Sequence, residues 1–100
     1  MTKRIDIRKE FAEDWLTREA GERLREMILA ATKGSKRVEL DFGKAIIAST
    51  SFFDEGIAKL ADHGWTWRLL DKKIAFLNMH PRDRETMKTL FLKREKQGDL

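Results

Sequence analysis

The sequence predicts one α/β domain over residues 1–100, with a mostly parallel or mixed sheet of three to four strands packed with three helices. Two observations carry this. Strand-length apolar stretches occur near the start of the chain, at 38–42 and at 74–77, as alternation with charged residues or as an unbroken run. Between and after them, apolar residues recur at helical spacing. Strand and helix patterns thus alternate along the chain, the order that joins parallel strands through crossover helices. Pattern alone leaves open whether helices cover one face of the sheet or both.

The elements follow in order. Ile5 and Ile7 alternate with charged neighbours and suit a first strand, which Phe11 either continues or answers as a hairpin return near Trp15 and Leu16. Thr17 is placed to cap the first helix. There Ala20, Leu24, Met27, Ile28 and Ala31 form one apolar stripe, with Gly34 as its stop. Val38, Leu40 and Phe42 form the second strand. After Gly43 and Lys44, the apolar bridge 45–48 leads to a helix over about 51–63, with Phe53, Ile57, Leu60 and Ala61 on one face and Gly64 at its end. Trp65 and Trp67 precede a short extra turn. Residues 74–77 form a third strand, apolar enough for burial on both sides. Pro81 suits the first position of a last helix, in which Met87, Leu90, Phe91 and the stem of Arg94 turn inward. That helix is expected to fray from about residue 97.

Composition narrows the function classes. Cysteine is absent, which excludes disulfides, thiolate nucleophiles and cysteine-ligated metals. No apolar run approaches membrane-spanning length and the N-terminal stretch does not resemble a signal peptide, so the reading is a soluble, cytoplasmic protein without a membrane partner. The net charge is +4, but 21 basic residues are interleaved with 17 acidic ones and each half carries the same surplus. A dedicated nucleic-acid surface concentrates its charge. Only residues 82–96 are locally basic, six cations against three acids, and a solvated helix face explains them more simply. His63 and His80 have no carboxylates at ligand spacing, and no Gly-rich phosphate loop is present. Catalysis, a metal and a cofactor therefore have no support, and a non-enzymatic role is expected.

Chemistry concentrates between Asp41 and Ser51. Asp41 stands at the C-terminal end of a strand, where α/β sheets often place functional groups, although it could equally bond nearby loop amides. Ser51 and Asp54 have the spacing of a capping box, so Ser51 is expected to cap the helix 51–63. Ser49 and Thr50 offer neighbouring hydroxyls. Asp54 and Glu55 are adjacent and point different ways on a helix, which speaks against a paired acid/base. Of the two nearby tryptophans, Trp67 is a candidate partner anchor, the alternative being that both pack over the sheet edge.

Four stretches, in this order and spacing, carry a resemblance: Thr17-Arg18-Glu19-Ala20 with Arg23-Leu24; Val38-Glu39-Leu40-Asp41-Phe42; Ser49-Thr50-Ser51-Phe52-Phe53-Asp54-Glu55; and Ile74-Ala75-Phe76-Leu77-Asn78. Over roughly residues 3–93 the chain resembles the STAS-like family of unknown function, a bacterial and phage-associated group related to the STAS domains of anti-sigma-factor antagonists. The resemblance implies a small STAS-like α/β fold and a regulatory, partner-switching role. In the antagonists a strand aspartate is followed by an Asp-Ser-Ser-Gly segment whose second serine a partner kinase phosphorylates. Laying Asp41 on that aspartate puts Ser51 on the phosphorylated serine, Thr50 on the first serine, and Ser49 and Phe52 where the motif has Asp and Gly. The implied partner is a histidine-kinase-like ATPase, docking on Asp41, Ser49, Thr50, Ser51, Phe52, Asp54, Glu55 and Trp67. The alternative expectation is a small basic nucleic-acid-associated protein using the C-terminal helix and an exposed tryptophan.

Overall fold

The computed structural model describes residues 2–12, 14–34 and 37–98. β1 (Thr2–Asp6), β2 (Arg37–Asp41) and β3 (Ile74–Leu77) form a parallel sheet in the order β1-β2-β3. The register aligns Ile5 with Leu40 and Phe76, and Val38 with Ile74. Side chains alternate across a strand, so these residues share one face. Ile5, Val38, Leu40 and Ile74 are buried there in the common core. The reverse face carries Arg4 in register with Glu39, and Arg4 reaches Glu39 at 3.6 Å and Asp41 at 3.8 Å.

The first strand stops at Asp6 because a helix starts there. The Asp6 carboxylate accepts a hydrogen bond from the Lys9 N–H at 3.1 Å, capping α1 (Ile7–Phe11). Ile7 and Phe11 are therefore buried residues of a one-turn helix, and the expectation that they extend the strand or a hairpin is corrected. α2 (Arg18–Gly34) matches its predicted stripe and stop, with Thr17 Oγ1 accepting from the Ala20 N–H at 3.1 Å.

The helix predicted over 51–63 is two pieces. α3 (Thr50–Gly56) ends where Ile57 leaves helical geometry at φ −120°, and a 3-10 helix (Ala58–His63) follows. The break lies where α3 meets α2 at a glycine contact. A Cβ on Gly21 would sit 2.7 Å from Glu55 Cβ and 2.9 Å from Phe52 O, and one on Gly56 would lie 2.9 Å from Leu24 Cδ2. Phe52 and Phe53 anchor α3 in the core, Phe52 edge-on to Phe11 with centroids 5.3 Å apart. Each such burial is worth about 1.5–3 kcal/mol.

The extra turn after Trp65 is a full helix, α4 (Trp67–Lys73), capped by Thr66. β3 is an edge strand with only Ile74 fully buried, which corrects the expectation of burial on both sides. α5 (Pro81–Gly98) packs along α3 and the 3-10 helix and keeps Gly98 in helical geometry. Residues 99–100, where fraying was also expected, lie outside the described residues. α1, α4 and the 3-10 helix thus add to the three helices predicted from pattern.

Candidate functional site

Two carboxylates shape the connection from β2 to α3. Asp41 Oδ1 accepts from the Gly43 N–H at 2.9 Å and from Asn78 Nδ2 at 3.0 Å. The Asn78 bond, then the Gly43 bond, hold its carboxyl below the ordinary 3.8. Asp41 is thus a turn-forming residue that ties β2 to the end of β3. Gly43, Lys44 and Ala48 all take positive φ (57°, 65° and 49°), a sparsely allowed region for the last two. Asp83, on the first turn of α5, fixes the far half of this loop. It is 1% exposed, and its two oxygens accept from the Ile47 N–H at 2.7 Å and the Ala48 N–H at 3.0 Å.

This clamp delivers Ser49, not Ser51, to the helix start. Ser49 is extended (φ −124°, ψ 107°) and its Oγ accepts from the Phe52 N–H at 3.2 Å. The capping box expected at Ser51 and Asp54 is corrected, because Asp54 is drawn away from the helix end by Arg94. Arg94 Nε and Nη2 donate to the two Asp54 oxygens at 2.7 and 2.8 Å, and Nη1 donates to Asp62 at 2.9 Å. Such fork-to-fork pairing is among the stronger side-chain contacts. It pushes the Asp54 carboxyl below its ordinary 3.8 and raises Arg94.

With the cap moved back to Ser49, Ser51 is left half-buried on the wall of a cleft of about 360 Å³ between α3 and α5. Thr50, Ser51 and Asp54 line one side; Leu90, Lys93, Arg94 and Gln97 line the other, and Arg18 from α2 closes one end. Behind the wall lies a second cluster. Glu55 is buried and pairs with Lys59 at 2.7 Å, Arg18 at 2.9 Å and Arg25 at 3.3 Å. The Lys59 bond leads in holding Glu55 below its ordinary 4.5, with Arg18 and Arg25 adding to it against the opposing effect of burial. A carboxylate held so low is a poor proton donor near neutrality. The cleft suits recognition of polar and charged groups.

The other expected site residues fall elsewhere. Phe52 is wholly buried and Glu55 nearly so, which removes both from any direct contact surface, and the Ser49 hydroxyl is spent on its cap. Trp67 is half-buried on α4, away from the cleft. Its ring stands edge-on to Phe91 at 5.7 Å, and Lys88 Nζ lies 5.7 Å from its centroid. Trp65 is also half-buried against the core, so neither tryptophan is an exposed anchor. His80 Nδ1 accepts from the Arg82 N–H at 3.1 Å at the start of α5. Among the described residues, no three histidine or acidic side chains gather as a metal site. Gln97 and the Asp83 clamp were not singled out from sequence; Arg18 entered only within the resemblance and Lys93 only as one cation of the basic C-terminal helix. Asp83 had a faint signal as an acid in the first turn after Pro81.

A family model described as a STAS-like domain of unknown function (DUF4325) matches residues 20–84. The chain belongs to this STAS-like family. The matched span runs from α2 to the first turn of α5, so it contains the loop, its Asp83 clamp and the α3 wall of the cleft. The α5 wall lies beyond it. No curated protein and no solved structure matches the chain. Among the described residues of this STAS-like domain, no helix is long and apolar enough to cross a membrane.

Proposed function

We propose that this STAS-like domain is a non-enzymatic regulatory module that docks a protein partner through the α3–α5 cleft and the loop leading into it. The partner that its family relation suggests is a histidine-kinase-like ATPase in the cytoplasm, and phosphorylation of Ser51 is the proposed switch. The observation that carries this reading is the placement of Ser51. Its neighbour Ser49 is buried and occupied as a cap, whereas Ser51 faces a cleft whose lining includes Arg18, Lys93 and Arg94. A phosphate on Ser51 would add about −1.5 to −2 charges. It would repel Asp54 and compete with it for Arg94, changing the wall that a partner meets.

The nucleic-acid alternative is weaker. Two of the aromatic faces a base would stack on are covered, with Arg84 lying 5.9 Å over Phe76 and Lys88 over Trp67.

Affinity capture with wild type, Ser51→Ala and Ser51→Asp, read by mass spectrometry, tests the proposal. The expected result is a partner retained by wild type and Ser51→Ala and lost by Ser51→Asp. Equal retention by all three would remove Ser51 from the mechanism.

A further inference from the structure

We propose that the outer edge of β3 is a second docking surface, independent of the Ser51 cleft, which takes an extended acidic peptide as an added strand. Leu77 turns its backbone toward β2, since its C=O accepts from the Phe42 N–H at 2.9 Å. Backbone direction alternates along a strand, so the N–H and C=O of Phe76 and the C=O of Ile74 point outward. The Ile74 N–H is used by Leu70 O at the end of α4. Among the described residues, no group bonds the Phe76 N–H or C=O.

The two edges of the sheet are built differently. β1 presents exposed Lys3 and Arg4, the charged guard that edge strands commonly carry. β3 reads Ile74-Ala75-Phe76-Leu77, with no charge and no proline. An open edge without a guard is a template for strand addition.

Charge selects the occupant. Arg68 and Lys72 are exposed on α4, and Arg37 donates to Lys72 O at 2.9 Å beside the start of β3. Arg84 covers the Phe76 ring. Asp71 on α4 and Glu85 beside Arg84 are the exposed acids of these segments, outnumbered by Arg68, Lys72 and Arg84 with Arg37 adjoining. A second copy of this chain would bring like charges together, whereas an acidic strand would be drawn in. A nucleic acid would find the same cations, but with the Phe76 face closed to stacking and no use for the outward backbone groups.

Main-chain pairing tolerates many sequences, so a generic probe suffices. A short peptide of alternating Glu and Val, its Lys and Val counterpart, and oligothymidylate are titrated into isotopically labelled protein, with amide shifts and hydrogen exchange recorded. The acidic peptide is expected to shift the Phe76 amide and slow its exchange, and the basic one is not. Lys72→Glu combined with Arg84→Glu, both at exposed positions, is expected to weaken the acidic peptide about tenfold. An unmoved Phe76 amide at about 1 mM acidic peptide would overturn the proposal. So would equal effects of the two peptides, or oligothymidylate shifting Phe76 where the acidic peptide does not.

Discussion

Ser49 and Ser51 are two residues apart and do different physical work. The hydroxyl of Ser49 satisfies a helix-end N–H in a buried setting, so Ser49→Ala should cost about 0.5–2 kcal/mol in urea unfolding. Ser51→Ala, inside the first turn and facing the cleft, should stay within about 0.5 kcal/mol of wild type. The reverse order would restore Ser51 as the cap. From sequence the Ser51 and Asp54 spacing favoured Ser51 as the cap; the choice of Ser49 depends on Asp83, 34 residues beyond it, which pins the loop by two amides. Asp83→Ala leaves the buried Ile47 amide and the partly buried Ala48 amide without their acceptor and should cost about 1.5–3 kcal/mol, visible as a lowered midpoint in the same unfolding experiment.

At the scale of elements, α2 and α3 meet through the absence of side chains. Alanine ordinarily stabilises a helix relative to glycine by about 1 kcal/mol. At Gly21 the added methyl would meet Glu55 Cβ at 2.7 Å and backbone at 2.9 Å, so Gly21→Ala should instead destabilise by about 1–3 kcal/mol. Gly34, where an added methyl would meet nothing within 4 Å, is the control. If both changes behave alike in thermal melts, the close approach is wrong. Elements whose signals are local were legible in the sequence: the α2 stripe with its Thr17 cap, the Val38 and Leu40 alternation, and the Pro81 start of α5. α1 was missed because Ile5 and Ile7 alternate as strand residues do, while the deciding event is the Asp6 side chain bonding the Lys9 N–H. The split after Gly56 was missed because a continuous apolar stripe does not record where two backbones touch.

Across the whole molecule, ion pairs join elements far apart in sequence, which is why the cleft could not be read from the chain alone. Asp54 and Arg94 are 40 residues apart, and no local pattern links them. Their pairing also sets the pH response. Asp41, Asp54 and Glu55 bind protons less tightly folded than unfolded, so the unfolded chain takes up more protons in acid. Their stabilisation is complete above the ordinary values of 3.8 and 4.5 and is lost as pH falls through the lowered ones. Melting temperature should therefore hold down to about pH 5 and decline below it. Arg94→Met should make that decline shallower; an unchanged slope would separate Asp54 from the acid response.

The docking role of the cleft is tested most directly by hydrogen exchange on the complex with the captured partner. Binding should slow exchange at Thr50 and Ser51 and along residues 90–97, the two walls around Arg18, and Ser51→Asp should abolish that footprint while the free protein keeps its melting temperature. Protection that leaves both walls unchanged and falls on another face would contradict the account.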